Sequence, residues 1–446
     1  MDTPICDFVR KYAESDALRL HMPGHKGVGP LGAERLDITE IDGADSLYEA
    51  NGIIRRSEEN AGKLFGCRTF YSTEGSSLCI RAMIYLIMLY ARKTGRKPLI
   101  AAGRNAHKAF LSAAALLDVD IMWLYSENGG SYLSCAPDER WLDEVLSNAP
   151  ETPAAVYITS PDYLGNTADI EAIAKVCRRH GCLLAVDNAH GAYLKFLDVP
   201  AHPMDLGADI CCDSAHKTLP VLTGGAYLHI SPTAPEMFAR QAKNALAMFG
   251  STSPSYLILQ SLDAVNKYLA EYRLRLREFL SLAENLKDDL IKSGYCLYGS
   301  EPLKITIDAK KYGYGGGELA RIIASHNAVC EFSDPDWLVL MLTPENGEQG
   351  VQKLKNVLTA IPRKAPITEQ PPEFNGAQRV LPVREAVMSP SETVPVGKSR
   401  GRILAAVTVG CPPAVPILVS GELIDDSAVA CFEYYGIESC EVVCNS

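Results

Sequence analysis

Apolar residues in the first 230 positions fall into two alternating kinds of segment. Short runs rich in aliphatic and β-branched residues, at 69–71, 98–102, 121–125, 154–159, 183–187, 208–212 and 226–230, have the length and composition of strands. Between most of them lie stretches with helical apolar spacing, at 53–64, 78–93, 109–117, 138–147 and 169–180. The alternation predicts βαβ crossovers and an α/β fold with a mostly parallel sheet, in which residues distant in sequence converge at the carboxyl ends of the strands.

Outside that block the pattern changes. Residues 1–50 are interrupted by Pro23, Gly24, Gly27, Gly29, Pro30 and Gly32 and are predicted to form an irregular arm lying on the rest of the molecule. Ser253 followed by Pro254 predicts a helix start, and apolar spacing then carries one long helix to a stop at Gly294. Strands at 303–307 and 337–342 and helices at 318–324 and 350–360 predict a small α+β domain. The proline-rich stretch 363–372 reads as a linker. The expected organisation is an arm (1–50), a large domain (51–294), a small domain (295–362), and a linker with a carboxy-terminal domain (363–446).

Composition narrows the function. The chain is 446 residues long, 47% hydrophobic and 22% charged, which allows a large core. A net charge of −11 argues against nucleic acid as a partner and agrees with a cationic small molecule. The 14 cysteines are scattered and include the vicinal pair Cys211 and Cys212, as expected of free thiols. No Cys/His spacing has the form of a zinc site, Cys440 and Cys444 lacking a second pair, so no metal is expected. The start of the chain has no basic segment followed by an apolar run. The longest apolar stretch, Leu78 to Ala91, carries Arg81 and is short for a membrane span. A cytoplasmic protein is expected.

The chemistry concentrates at two strand ends. Leu183–Asp187 runs into Asn188-Ala189-His190-Gly191, and the strand ending at Cys212 runs into Asp213-Ser214-Ala215-His216-Lys217. A carboxylate from one strand and a lysine from the next suit pyridoxal phosphate, with Asp187 for the pyridinium nitrogen and Lys217 for a Schiff base with the aldehyde. Ser214 and His216 are placed to donate to its phosphate. Ser76 and Ser77, in the polar turn before the helix at 78–93, are further candidates because free amides and the helix dipole favour an anion there.

Ser214-Ala215-His216-Lys217-Thr218-Leu219, taken with His21-Met22-Pro23-Gly24-His25-Lys26, resembles the ornithine/lysine/arginine decarboxylases of the aspartate-aminotransferase fold, fold type I of the pyridoxal phosphate enzymes. Arg104-Asn105-Ala106-His107-Lys108 resembles a further motif of that family, whose histidine stacks on the cofactor ring. The resemblance implies that His107 stacks on the ring, that Ala189 packs behind it with His190 also at the cofactor, and that Thr252 reaches the neighbouring subunit's phosphate. It implies a homodimer with the arm near the interface. It also implies the short form of the family, without a receiver-like domain or the decamer built through it.

In the family Asn is common where Glu74 stands, and Tyr-Pro-Pro-Gly is more frequent than Cys411-Pro412-Pro413-Ala414. The implied reaction is decarboxylation of a basic L-amino acid. Arginine, giving agmatine for polyamine synthesis, is favoured over lysine or ornithine, and Asp45, Glu74 and Glu422 are candidate partners for the substrate's cationic tail. An aminotransferase or aldolase-type lyase of the same fold is the rival enzyme reading, and a non-catalytic protein of this fold is the other.

Overall fold

The computed structural model describes residues 1–125, 131–135, 137–373, 376–407 and 415–444; Cys411 and Ala414 lie outside them. In chain order the elements begin with α1 (Pro4–Ala13), α2 (Ile53–Phe65), β1 (Arg68–Ser72), α3 (Gly75–Lys93), β2 (Leu99–Gly103), α4 (Lys108–Leu117), β3 (Asp120–Leu124), α5 (Glu139–Ser147), β4 (Ala155–Thr159) and α6 (Ile170–Arg179). Next come β5 (Leu183–Asp187), β6 (Ile210–Asp213), α7 (Ala215–Thr218), β7 (Ala226–Ile230), α8 (Glu236–Ala247), α9 (Tyr256–Leu269) and α10 (Tyr272–Lys292). The remainder holds β8 (Leu297–Tyr298), β9 (Lys304–Asp308), α11 (Ala309–Tyr312), α12 (Gly316–Ser325), β10 (Phe332–Ser333), β11 (Trp337–Met341), α13 (Gly347–Ala360), α14 (Val383–Met388), β12 (Ser391–Pro395), α15 (Asp426–Tyr434) and β13 (Ser439–Val443). No helix among the described residues is long and apolar enough to cross a membrane.

The fold is α/β, with a mostly parallel central sheet. Two compact units are each assembled from separate stretches of chain: Met1–Pro98, Ala149–Tyr157 and Ile170–Leu276 in one, and Leu99–Asn148, Ile158–Asp169 and Arg277–Ser446 in the other. In the first unit the strands lie in the order β1-β7-β6-β5-β4. β5 and β6 are parallel, while β7 runs antiparallel to both β6 and β1. Every residue of β5, β6 and β7 is buried, which is why these strands read as near-continuous apolar runs rather than as alternating ones. The second unit contains the parallel pair β2 and β3, the antiparallel sheet β10-β11-β9-β8 and the antiparallel pair β12 and β13.

Several local features differ from the sequence-based expectation. The arm contains a helix, α1, because Pro4 opens it and Ile5, Val9 and Ala13 share one buried face. The residue capping the next long helix is Ser255, whose Oγ accepts from Ile258 N, and not Ser253, whose amide donates to Ser251 Oγ. That helix is two, α9 and α10, separated at Ala270 and Glu271; neither residue is a helix breaker, and the apolar spacing continues across them. α8 was not anticipated at all.

The amino end of α1 is capped from far along the chain. Asp263 Oδ2, on α9, accepts from the amides of Ile5 and Cys6, each at 2.9 Å, and Oδ1 accepts from Ser57 Oγ on α2 at 2.6 Å. One fully buried carboxylate thus ties three helices. Asp263→Ala strands these donors and is expected to cost on the order of 2–4 kcal/mol in urea denaturation, with α1 amides losing hydrogen-exchange protection first.

Candidate active site

β5 and β6 are parallel neighbours, so the turns that follow them emerge side by side, where open α/β sheets bind ligands. After β6, Lys217 sits on the short helix α7, its amide donating to Ser214 O at 3.0 Å. After β5, a tight turn closes with Gly191 N donating to Asn188 O at 2.8 Å. His190, on that turn, places Nε2 3.0 Å from Lys217 Nζ. The two turns singled out in the sequence therefore meet through side chains.

Asp187 is 2% exposed. Its Oδ2 accepts from Tyr157 Oη at 3.1 Å and its Oδ1 from Ala189 N at 3.2 Å, with the Cys212 thiol 3.7 Å from Oδ1. Burial raises the Asp187 pKa; the charge of Lys217 and these donors pull the other way without cancelling it. A cation arriving beside Asp187 is thus met by a carboxyl that gains from its company.

α3 begins at Gly75, earlier than expected, which puts Ser76 and Ser77 inside its first turn. Glu74 occupies the cap position, and no side chain caps the helix, leaving its first-turn amides to an anion. Ser214 Oγ donates to Ser76 Oγ at 2.7 Å, which joins the loop after β6 to this helix start. Gly224 supports the turn: its carbonyl accepts from Gly75 N at 2.7 Å, and a Cβ there would lie 2.8 Å from Thr73 O. Glu74 turns towards the segment before α9, its Oε1 accepting from Ser251 N at 2.7 Å. An uncapped helix start with two hydroxyls, in the same unit as the Lys217 amine and the buried Asp187 carboxylate, fits the donor set that pyridoxal phosphate needs.

The remaining predicted residues are placed less uniformly. His216 Nδ1 donates to Gly225 O at 3.0 Å, so its Nε2 donates to an anion only when the ring carries both protons. Ala189 is buried beside Asp187. Thr252 is exposed in the segment before α9 and takes no part in the hydrogen bonds just described.

His107 belongs to the second unit, where it caps α4, its Nδ1 accepting from Ala109 N at 3.1 Å. In that unit Arg104 donates to Pro416 O, Ile417 O and Glu422 Oε2, and Glu422 Oε2 also accepts from Val419 N, so this candidate carboxylate is already paired. Asp45, in the first unit, accepts from the amides of Ser46, Asn51, Gly52, Ile54 and Arg55 and caps α2.

Tyr157 was missed. A tyrosine with no exposed surface must find a partner for its hydroxyl, and only the strand order, with β4 next to β5, identifies that partner as Asp187.

A family model described as Orn/Lys/Arg decarboxylase, major domain, matches residues 3–352. The chain is 28% identical over 464 residues to an arginine decarboxylase of Bacillus subtilis (strain 168), covering 96% of this chain and 92% of that protein. It is 27% identical over 463 residues to an arginine decarboxylase of Halalkalibacterium halodurans, with coverage of 96% and 92%. A solved Francisella novicida lysine decarboxylase superposes with a TM-score of 0.78 at 17% identity, covering 99% of this chain and 81% of that one. Lysine decarboxylase A from Pseudomonas aeruginosa gives 0.79 at 16%, covering 99% and 80%. At these identities the structural likeness shows the fold.

Tyr157→Phe removes one donor from Asp187 and raises its pKa further. The acid limb of the kcat/KM profile is expected to move to higher pH by roughly half to one unit, since a hydrogen bond is worth about 1 kcal/mol and a pH unit about 1.4.

Proposed function

We propose that this chain, which belongs to the Orn/Lys/Arg decarboxylase family, uses pyridoxal phosphate to remove the carboxyl group of a basic L-amino acid, arginine ahead of lysine and ornithine. The observation that carries the reading is the Lys217 amine, held 3.0 Å from His190 on a turn beside the strand that ends in the buried Asp187. When bound, the cofactor supplies an electron sink for the electron pair that carbon dioxide leaves behind.

The chain's own residues do the rest. Lys217 holds the cofactor through its amine. His190, with its ring proton on Nδ1, accepts at Nε2 a proton from the Lys217 ammonium and leaves the amine nucleophilic. Asp187, kept in place by Tyr157 and Ala189, supplies the anion opposite the protonated ring nitrogen. Ser76, Ser77 and Ser214, with the amides of α3, hold the phosphate, joined by His216 when doubly protonated. Ala189 backs the ring, and Thr252 reaches the phosphate of the neighbouring subunit. Lys217 or His190 returns a proton to the α-carbon.

Arginine is favoured because the full-length curated relatives named above are called arginine decarboxylases; the product is then agmatine, a precursor of polyamines. A cytoplasmic homodimer is the proposed state. The arm supports it, since Leu18, Leu20, Val28 and Leu31 are 81–87% exposed there, a run of apolar side chains suited to cover by a second copy.

Lys217→Ala is expected to abolish both turnover and the borohydride-reducible cofactor band, and mass spectrometry of the reduced wild-type protein to place the adduct on Lys217. An adduct on Lys26 or Lys108 would overturn the assignment. Asp187→Asn is expected to lower kcat by several orders of magnitude with an unchanged far-ultraviolet circular dichroism spectrum.

The reaction is tested by incubating the holoenzyme with each common amino acid separately and measuring carbon dioxide and amine. Carbon dioxide from arginine is the expected result. Amino transfer to a keto acid without carbon dioxide would make the protein an aminotransferase, and release only from an aromatic or acidic amino acid would overturn the substrate class.

A further inference from the structure

A second buried carboxylate lies at the same strand ends and has no part in the chemistry above. Asp213 closes β6, immediately before Ser214, and has no exposed surface. Its Oδ1 accepts from Asn188 Nδ2 at 2.6 Å, and its Oδ2 faces His202 Nε2 at 3.0 Å and His229 Nε2 at 3.1 Å.

The neighbours of the two rings settle their protons. Met204 N donates to His202 Nδ1 at 3.3 Å, so the proton of a neutral His202 is on Nε2, towards Asp213. His229 Nε2 faces the ionised Asp213 carboxylate, which only accepts, so it carries a proton; its Nδ1 lies 2.9 Å from Thr69 Oγ1 and 3.5 Å from Cys67 Sγ. Ligand atoms of His202, Cys211 and Asp213 fall within 4.8 Å of one another, a spacing open to a cation. With the amide of Met204 occupying Nδ1, however, His202 has a proton and not a lone pair to offer at Nε2. The cluster is an anion met by three donors. Burial alone would raise the Asp213 pKa, but the two histidines outweigh it and hold the carboxyl well below the usual range.

What the anion grips is the turn after β5. Asn188 N donates to Cys212 O at 3.0 Å, and the Asn188 side chain reaches back to Asp213. The carboxamide fills the space beside Gly191: a Cβ there would lie 2.0 Å from Asn188 Oδ1. Between Asn188 and Gly191 is His190, whose Nε2 meets Lys217. One carboxylate therefore touches both turns, by its backbone the one that carries Lys217 and by Asn188 the one that carries Ala189 and His190.

We propose that Asp213 is a positioning residue for the cofactor site: clasped by His202 and His229, it latches Asn188 and so sets the turn from Asp187 to Gly191 against Lys217. The inference rests on Lys217 being the cofactor lysine.

Asp213→Asn tests it, because the new amide group must face a donor whichever way it turns, Asn188 on one side or the two histidines on the other. Asn188→Asp in the same chain removes the clash: the amide then donates to the new carboxylate, and the amide oxygen keeps both histidines. Three quantities are read well below the melting temperature: pyridoxal phosphate affinity of the apoprotein, the pH midpoint of the visible lysine–cofactor band, and hydrogen exchange of the peptide spanning 188–191.

Asp213→Asn is expected to weaken cofactor binding about tenfold or more, to move the pH midpoint, and to speed exchange at 188–191; the double variant is expected to reverse most of each change. Asp263→Asn, a buried carboxylate elsewhere in the unit, is expected to lower the melting temperature with cofactor affinity unchanged.

The proposal is overturned if Asp213→Asn lowers only the melting temperature, or if the double variant folds and recovers none of the three. If the single variant does not fold, the double variant alone decides: wild-type-like affinity supports the latch and weak affinity refutes it. Absence of a reducible adduct on Lys217 in the unmodified protein would remove the cofactor reading, while exchange at 188–191 would still report the latch.

Discussion

A carboxylate that leaves water has to be met by donors or by positive charge, and this protein buries two of them at adjacent strand ends. Asp213 is matched within the fold, by an asparagine and two histidines, and its charge is at rest there. Asp187 is met by a tyrosine hydroxyl, one amide and a weak thiol donor, and burial still raises its pKa. That residual imbalance distinguishes the two groups. The matched carboxylate organises the backbone around it, and the undermatched one is left with an unsatisfied preference for a cation that a protonated ring nitrogen can meet.

Other acidic residues that seemed available for a cationic substrate turn out to serve the architecture. Asp45 closes the start of α2 by accepting from five backbone amides, and Glu422 completes a buried pair with Arg104 in the second unit. A carboxylate count from sequence overstates how much negative charge a site can lend to a ligand, because helix starts and buried cations draw on the same supply. Glu74 shows a milder version: its side chain is drawn to Ser251, and the helix start it caps keeps its amides for an anion.

The strands and helices of the core were legible to within a few residues, because each is a single apolar run or a single amphipathic period. The placement of Asp187 and Lys217 at the ends of adjacent strands was legible because each follows a single unbroken apolar run. Tyr157 was not, since a tyrosine inside Ala155–Thr159 reads as core until its neighbour across the sheet is known. Asp213 was hidden by standing next to a motif that drew attention to Ser214 and Lys217, and its partners His202 and His229 lie on either side of it with no spacing rule to link them. The helix α1 depends on Asp263, 258 positions away from Ile5, which no local pattern reveals. The break between α9 and α10 leaves no mark, because Leu269 and Tyr272 keep the apolar period across it. The choice of Ser255 over Ser253 as cap is decided by a third serine, Ser251, competing for the amide of Ser253.

The reversed strand β7 sets an order of events during synthesis on the ribosome. β1 is at the end of the sheet and pairs with β7, so Arg68–Ser72 has no strand beside it until Ala226–Ile230 has been made. The hydroxyls of Ser76, in the first turn of α3 after β1, and Ser214, in the turn between β6 and β7, lie 138 positions apart. Loop closure over this length is slow compared with local helix formation, so α3 can form early while its amino end waits for the rest of the anion site. A nascent chain truncated before Ala226 carries Lys217 and Asp187 but lacks the strand with which β1 pairs. The contact between Ser76 and Ser214, and the helix start it joins, is thereby tied to the completion of the first unit.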